Sequence, residues 1–357
     1  MSTSPDAVVI GGGIVGCAAA AFLAAEGLAV ELFEHGELAG AASGRNSGSV
    51  QDPFDEVLAP LHEETLSIYH SLEGFDLPAE PAGVLLLARD HEAGFGGAAL
   101  LTGSELIALE PSLAPGLVGT RLETGYPVEP AAATLALAEL ARARGAVLHE
   151  GAAAGLAVEK GSIEGVVAEG ERRPAGAVLV AAGPWTPSVI DPTGRWCPIE
   201  AVWGVVAEVA LDDPPRHVLE QAGVEAAAVG ELDSLFSLVA TPGACAVGST
   251  FMSGEPDAAA VAPGLLRAGA DFVPALADAK LTGARACARP VSWDGRPLIG
   301  PVPGVEGLHL VAGHGPWGIS AGPASARLAV DALLGRATIP APLAADRFGS
   351  PLASSAG

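Results

Sequence analysis

The stretch that decides the fold is residues 6–16, which read DAVVIGGGIVG. Its first five residues are a short β-branched run, typical of a buried parallel strand. A G-x-G-x-x-G turn follows, and the Ala-rich segment Ile14–Glu26 predicts a buried helix that stops near Gly27. With a second predicted strand, Ala29–Glu34, these segments form a complete β-turn-α-β unit.

Each glycine of the turn has its own steric role in a dinucleotide-binding fold. Gly11 permits the tight turn, Gly13 lets the backbone approach a pyrophosphate, and Gly16 lets helix and strand pack closely. The helix N-terminus attracts the diphosphate. Glu34 can accept hydrogen bonds from ribose hydroxyls and would repel a 2′-phosphate. The unit predicts a bound dinucleotide, and the turn alone leaves FAD and NAD both open.

Composition sets further limits on the function. The chain has 357 residues, 50% of them hydrophobic, and 18 basic against 42 acidic side chains give a net charge of −24. The length predicts roughly two domains of ~150 residues. The negative charge argues against a nucleic-acid partner and against an anionic membrane surface.

The N-terminal apolar run and the cysteines bear on location. The run Ala7–Ala25 is long enough to span a membrane, but its glycine triplet would break such a helix, and no basic segment precedes it. The four cysteines are widely spaced and show no zinc-site pattern. We therefore expect reduced thiols, no metal site, no membrane partner and a cytoplasmic protein.

The remaining elements follow from periodicity and turn residues. Gly40–Gln51 is Gly/Ser-rich and predicts a loop, and helical spacing covers residues 57–72 and 130–144. Two later helices involve prolines: Asp257–Ala279, predicted to be broken at Pro263 and Pro274, and Ala324–Leu334, predicted to start after Pro323. Strands are predicted at Gly83–Ala88, Ala146–His149, Leu156–Val167 (a hairpin turning at 160–161), Ala177–Val180, Cys197–Leu211, Leu235–Ala240, Ala244–Gly248, Arg285–Arg289, Pro297–Ile299 and Leu308–Ala312.

Four further stretches carry a family resemblance. Residues 43–48 read SGRNSG and residues 181–185 read AAGPW. Arg289-Pro290 precedes DGRPLIGP at 294–301, and residues 307–319 read GLHLVAGHGPWGI. Together with the glycine turn and Glu34, the chain resembles the FAD-dependent D-amino-acid oxidase superfamily, which includes glycine oxidase and the sarcosine oxidases.

The resemblance implies an α/β and α+β architecture, in which a Rossmann-like FAD-binding domain is interleaved with a substrate domain built on a mixed or antiparallel sheet. We expect the discontinuous FAD-binding domain to cover residues 1–75, 127–198 and 286–345. Residues 76–126 and 199–285 would then form the substrate domain. FAD is expected to be non-covalent, because the surroundings of Cys287 do not match the motif of relatives that attach flavin through cysteine.

The resemblance also implies roles for individual residues along the cofactor. Gly11, Gly13 and Gly16 would hold the diphosphate and Glu34 the adenosine ribose. The other cofactor-binding residues implied are Arg45, Asn46 and Ser47 along the diphosphate and flavin edge, Ala182 and Gly183 over the adenine-side ribose, and Gly313, His314, Gly318 and Ile319 beside the flavin ring.

Arg289 matches the family's position for binding a substrate carboxylate. An arginine fork binds a carboxylate through two parallel charge-assisted hydrogen bonds, which lysine cannot reproduce. A structural salt bridge is the alternative role for this side chain. The candidates for lining the substrate pocket are Trp203, Tyr126, Phe251 and Trp317. Many relatives carry Arg-Gly-Gln where this chain has Trp203-Gly204-Val205.

The implied function is oxidation of the C–N bond of a small amino acid or amine by hydride transfer to flavin N5, giving an imine and hydrogen peroxide. The partners implied are the substrate and oxygen or another electron acceptor; a homo-oligomer stays open. Four alternatives also stay open: an FAD-dependent dehydrogenase, a 2-hydroxy-acid oxidoreductase, a non-catalytic flavoprotein subunit, and an NAD-dependent dehydrogenase.

Overall fold

The computed structural model describes residues 4–89, 99–223 and 234–349. Its helices are α1 (Ile14–Ala25), α2 (Ala42–Arg45), α3 (Ala59–His70), α4 (Ser104–Leu109), α5 (Ala132–Ala143), α6 (Thr186–Ile190), α7 (Ala258–Gly269) and α8 (Gly318–Leu333). Short 3₁₀ turns include Gly183–Trp185, Pro274–Ala277 and Gly315–Trp317.

The strands are β1 (Ala7–Ile10), β2 (Val30–Phe33), β3 (Ser49–Val50), β4 (Val84–Ala88), β5 (Leu101–Thr102), β6 (Val118–Leu122), β7 (Tyr126–Pro127), β8 (Val147–His149), β9 (Ala154–Glu159), β10 (Ser162–Ala168), β11 (Glu171–Pro174), β12 (Ala177–Val180), β13 (Ile199–Val209), β14 (Val218–Gln221), β15 (Ser234–Thr241), β16 (Ala244–Thr250), β17 (Leu281–Ser292), β18 (Leu298–Pro301) and β19 (Leu308–Ala312).

The first sheet carries the glycine turn. Its order is β18-β19-β12-β1-β2-β8, and every neighbouring pair is parallel except β18 with β19. Helix α1 packs on one face of this sheet, together with α5 and α8, and the small sheet β9–β11 covers the other face of the sheet. Burial on all sides explains why α1 has no polar face.

The second sheet is larger and mostly antiparallel. Its order is β17-β13-β16-β15-β14-β4-β6-β5, with one parallel pair, β14 with β4. Helix α7 packs on one face. At the β17 edge the strand contacts α2 and the turns Gly183–Trp185 and Gly315–Trp317. The predicted fold class, a Rossmann-like domain combined with a mixed-sheet domain, is therefore confirmed.

The predicted domain boundaries stay a prediction. Strand β17 runs across the predicted boundary between residues 285 and 286. Parts of the two ranges predicted for the substrate domain lie outside the described residues. No described helix has both the length and the apolar character needed to cross a bilayer.

Two expectations, about the segment Gly40–Gln51 and about the edge strand β17, were wrong. Residues 40–51 were predicted as loop, but they include the one-turn helix α2 and the short strand β3, which pairs with β7. Strand β17 is much longer than the predicted Arg285–Arg289. It continues through Pro290 because it is an edge strand whose only neighbouring strand in the sheet is β13, and edge strands tolerate a residue without an N–H.

Two proline-based helix boundaries were also wrong. Pro263 does not break α7, which Asp257 caps by accepting hydrogen bonds from the N–H groups of Ala259 and Ala260. Its buried side chains pack against the second sheet, and this tertiary contact overrides the proline. Helix α8 starts at Gly318, before Pro323 rather than after it.

Helix α3 compensates for Pro323 inside α8. Proline has no N–H, so the carbonyl of Ile319 loses its helical donor. The Tyr69 hydroxyl donates to that carbonyl instead, at 2.6 Å. On the same buried face of α3, His62 Nδ1 contacts the Ser320 carbonyl at 3.1 Å, and Thr65 Oγ1 accepts from the Ala324 N–H at 3.3 Å. The first turns of α8 are thus held by three side chains of α3.

We expect Tyr69→Phe to lower the free energy of unfolding by about 1–3 kcal/mol, because it leaves the buried Ile319 carbonyl without a partner. The measurement is urea denaturation. The matched control is Tyr126→Phe, since Tyr126 is the chain's only other tyrosine and its hydroxyl makes no hydrogen bond within the described residues. Equal stability losses in both variants would show that the Tyr69 hydroxyl does not support α8.

Candidate active site

The glycine turn is packed so closely that side chains are excluded. Gly11 has φ +113°, and a Cβ there would lie 2.4 Å from the Ala181 carbonyl oxygen. A Cβ at Gly16 would lie 1.8 Å from the Gly11 carbonyl oxygen. Gly13 precedes α1 and is only partly buried. The turn therefore presents bare backbone at the N-terminus of α1, as the sequence predicts.

Ser43 is a residue of this site that the sequence reasoning did not single out. Its Oγ accepts a hydrogen bond from the Ile14 N–H at 2.9 Å, at the first turn of α1. A Cβ at Gly13 would lie 3.0 Å from the same oxygen. The only sequence signal was its place in the SGRNSG stretch, because the contact joins residues 29 positions apart.

The three residues after Ser43 that were assigned to the cofactor differ in what they do. The Asn46 side chain holds the loop itself: its Nδ2 donates to the carbonyls of Ala42 and Ser43, and its Oδ1 accepts from the Gly48 N–H. Arg45 is exposed, and Ser47 is half-buried beside Asn46. Asn46 therefore shapes the loop, whatever it contacts in a bound ligand.

Glu34 closes the other side of the turn. Its Oε2 accepts from the Gly12 N–H at 2.6 Å and its Oε1 from the Gly36 N–H at 2.8 Å. These two bonds fix the carboxylate at the carboxyl end of β2, beside the glycine turn. That is where the sequence predicts a ribose-binding acid.

Two turns next to β17 form the other part of the site. Gly183 and Gly315 both have φ +55°, and a Cβ at either glycine, or at Gly318, would meet nothing within 4 Å. These glycines therefore border open space. Ala182 precedes the first turn and accepts a hydrogen bond from Trp185. Gly313, with φ +91°, precedes the second.

His314 lies between Gly313 and this second turn, where its backbone pairs with Val291 of β17. Its side chain is 2% exposed, and its Nε2 has no hydrogen-bond partner among the described residues. Burial lowers the pKa of His314 to about 4. The ring is therefore neutral at pH 7, and a ligand can supply the hydrogen-bond partner that Nε2 lacks.

Arg289 is half-buried and has no acidic partner in the part of the chain that the structure describes. Its Nη1 donates to the Thr250 carbonyl at 3.0 Å, and its Nη2 donates to Ser249 Oγ. The guanidinium carbon lies 5.1 Å from the centre of the Phe251 ring. Burial lowers the pKa of Arg289. A structural salt bridge, the alternative role for Arg289, would need a carboxylate partner, and the described residues provide none.

Gly204 makes room for this guanidinium. It lies opposite Cys287 on the neighbouring strand, and a Cβ there would be 2.3 Å from Arg289 Nη1. Trp203 lies opposite Ala288, so it projects from the other face of β13, because successive side chains alternate. The geometry thus places Gly204, rather than Trp203, beside Arg289.

The other predicted pocket residues are also spread out. Phe251 lies against Arg289. Tyr126 lies on β7 opposite Val50, and Trp317 ends the turn after His314; both pack at the margin of the core around α1. Burial raises the pKa of Tyr126. Of the four aromatic residues, the structure brings only Phe251 into described contact with Arg289.

Comparison with known proteins identifies the family of the chain. The family model described as "FAD dependent oxidoreductase" (DAO) matches residues 6–332. The chain belongs to this family. A glycine oxidase from Pseudomonas aeruginosa is 29% identical over 389 aligned positions, covering 96% of this chain and 98% of the relative. A glycine oxidase from Bacillus licheniformis is 26% identical, covering 92% and 93%.

Solved structures agree on the fold. The glycine oxidase from Geobacillus kaustophilus superposes with a TM-score of 0.82 at 24% identity, covering 97% of this chain and 99% of that one. Membership of the family makes the protein an FAD-dependent oxidoreductase. The cofactor is therefore FAD, and the NAD-dependent alternative is excluded.

The residues present fit FAD. The glycine turn offers backbone where a diphosphate needs close approach, and Glu34 lies where a ribose is expected. Gly183, Gly315 and Gly318 border open space, and the Nε2 of His314, the residue before Gly315, lacks a described partner. Of the cofactor residues assigned from sequence, Ile319 has a carbonyl that already accepts a hydrogen bond from Tyr69.

We expect Gly16→Ala to abolish FAD binding, because its Cβ would overlap the Gly11 carbonyl and push α1 away from the turn. The measurement is flavin absorbance per protein after purification. Gly155→Ala is the control, because a Cβ at Gly155 meets nothing within 4 Å. A Gly16→Ala protein as yellow as this control would contradict the tight turn.

His314 gives a pH prediction. Its pKa is about 4 when folded and 6.5 ordinarily, so the unfolded chain takes up its proton at higher pH. The stability from the neutral ring is complete above pH 6.5 and is lost as the pH falls towards 4. Over this range, His314→Asn should show a shallower fall in the free energy of unfolding, by up to about 1.4 kcal/mol per pH unit. Exposed His70→Asn should keep the wild-type slope; identical slopes in all three proteins would refute the assignment.

Proposed function

We propose that the protein oxidises the C–N bond of a small amino acid or amine, and that Arg289 binds the substrate carboxylate. The observation that carries this proposal is the state of the Arg289 guanidinium. It is half-buried, its Nη1, Nη2 and Cζ atoms all lie over Gly204, and no described carboxylate pairs with it. Partial removal of a cation from water is costly unless an anion joins it, so the site favours an anionic ligand.

The relatives support a small amino-acid substrate. Two of the similar curated proteins are named glycine oxidase and align over nearly their whole length. A carboxylate bound at Arg289 would also lie beside Phe251 and under the turn that begins with His314. These neighbours are apolar or neutral, which strengthens the charge-assisted bonds to the guanidinium.

The chain's own residues would bind and orient the substrate. Arg289 fixes the carboxylate, and this fixes where the neighbouring Cα–H points. Since the amine can bind unprotonated, no side-chain base is required. When bound, FAD supplies the two-electron oxidation that converts the amine to an imine. Water then hydrolyses the imine, and oxygen or another acceptor takes the electrons.

FAD is proposed to be non-covalent. Cys287 is the cysteine nearest the anchor, two residues before Arg289 on β17. It is 5% exposed, and burial raises the pKa of its thiol despite the nearby arginines. A protonated, buried thiol is a poor nucleophile, which supports a purely structural role.

The decisive experiment is anaerobic reduction of the yellow protein. We expect glycine, sarcosine or another small amino acid to bleach the flavin band, and peroxide to appear once oxygen is admitted. Bleaching by 2-hydroxy acids alone would contradict C–N oxidation. A protein that no amine bleaches would favour the non-catalytic flavoprotein alternative.

We expect Arg289→Lys to raise KM for the carboxylate substrate about 30- to 100-fold, because lysine cannot donate two parallel hydrogen bonds. Gly204→Ala should raise KM in the same direction, because its Cβ displaces the guanidinium while keeping the charge. The control is an amine substrate that lacks a carboxylate, whose KM should stay nearly constant. Equal effects on both substrates would remove Arg289 as the carboxylate anchor.

A further inference from the structure

A second arginine lies on the same face of β17 as Arg289, four residues earlier. The Arg285 side chain is 17% exposed. Its Nε donates to the Arg45 carbonyl at 3.2 Å and its Nη2 to the Asn46 carbonyl at 2.8 Å. Its Nη1 pairs with the Glu208 carboxylate on β13. One guanidinium thus joins the second sheet to the loop that follows α2.

The sheet makes space for this arrangement. Glu208 lies directly opposite Gly283 on β17. A Cβ at Gly283 would lie 2.3 Å from Glu208 Oε2, so the carboxylate occupies the space of a missing side chain. From there it reaches Arg285. The ion pair occupies Nη1, and the other two guanidinium nitrogens, Nε and Nη2, donate to the two carbonyls.

The loop held by Arg285 leads directly to the FAD site. The Arg45 and Asn46 carbonyls lie at the C-terminal end of α2, the one-turn helix that carries Ser43. Ser43 Oγ accepts from the Ile14 N–H at the first turn of α1. Asn46 fastens the same loop from inside through the carbonyls of Ala42 and Ser43. A continuous series of contacts therefore runs from β17 to the dinucleotide turn.

We propose that Arg285 is a positioning residue for FAD: it fixes the loop at residues 43–48 onto the strand that carries Arg289. Cofactor and carboxylate anchor are then aligned by one rigid strand. Loss of the Arg285 side chain would leave the Arg45 and Asn46 carbonyls without these hydrogen bonds. Both carbonyls lie at the end of α2, which is too short to be stable without tertiary contacts. The proposal depends on FAD as cofactor and not on the amino-acid substrate, so it can be tested even if the proposed function fails.

The first test measures the FAD Kd of the full-length holoenzyme by flavin fluorescence on dilution. Arg285→Ala should weaken FAD binding about 10- to 100-fold, as expected for two lost hydrogen bonds from a charged donor. Arg285→Lys should rescue part of this loss. Arg336→Ala, which removes an exposed ion pair with Glu26, should keep the wild-type Kd.

Glu208→Gln separates positioning from an ordinary ion pair. It removes the negative charge but keeps an oxygen for Nη1, so both carbonyl contacts persist. We expect its FAD Kd within about threefold of wild type, even where its thermal stability falls as far as that of Arg285→Ala. Equal losses of FAD affinity in these two variants would show that the ion pair, not the loop contact, matters.

A second readout uses FAD-saturated enzyme with a substrate that bleaches it. Arg285→Lys should lower kcat several-fold while KM changes less than about twofold, the reverse of Arg289→Lys. Should Arg285→Ala fail to fold, Arg285→Lys and Glu208→Gln still decide the question. A folded Arg285→Lys protein with wild-type FAD Kd and wild-type kcat would overturn the proposal.

Discussion

Helix α1 can press its first turn against the Gly11 carbonyl only because position 16 has no side chain, and the same constraint recurs throughout the site. A Cβ at Gly16 would lie 1.8 Å from that oxygen, and a Cβ at Gly204 would lie 2.3 Å from the Arg289 guanidinium. Gly283 is filled by the Glu208 carboxylate in the same manner. In each case a polar group occupies the volume of a missing methyl group, so its position is set by backbone and is costly to change.

The two arginines of β17 differ in whether a carboxylate neutralises their charge. Arg285 forms an ion pair with Glu208, and its Nε and Nη2 donate to backbone carbonyls. Arg289 is held by an uncharged carbonyl and an uncharged hydroxyl, so its orientation is fixed while its charge is not neutralised by described residues. In a chain with a net charge of −24, this half-buried cation would attract a small anion that the acidic surface around it repels.

The sequence pattern predicted correctly those elements whose structure depends on neighbouring residues. The first β-turn-α-β unit, the strands Ala177–Val180 and Leu308–Ala312, and the hairpin turn at Lys160-Gly161, where both residues have positive φ, agree with the structure. The errors at the two helix boundaries came from prolines whose local effect is overridden by distant contacts, such as Tyr69 donating to Ile319 across 250 positions. Ser43, Gly204 and Arg285 were missed because their roles depend on strand register and on partners far along the chain. Strand register likewise decides that Trp203 lies on the face of β13 away from Arg289, and the sequence pattern alone does not show this.

Placing the site at β17 also answers a structural problem of the second sheet. An edge strand exposes backbone groups that can pair with other chains, and proteins cover or interrupt such edges. Here Pro290 removes one donor, the His314 backbone pairs with Val291, and α2 and the turns Gly183–Trp185 and Gly315–Trp317 pack along the strand. If Arg285 positions FAD as proposed, a loop displaced by its loss would both weaken FAD binding and uncover this strand. The edge strand of the second sheet is thus covered by segments that follow strands of the first sheet, so the same contacts that join the two sheets also protect the edge.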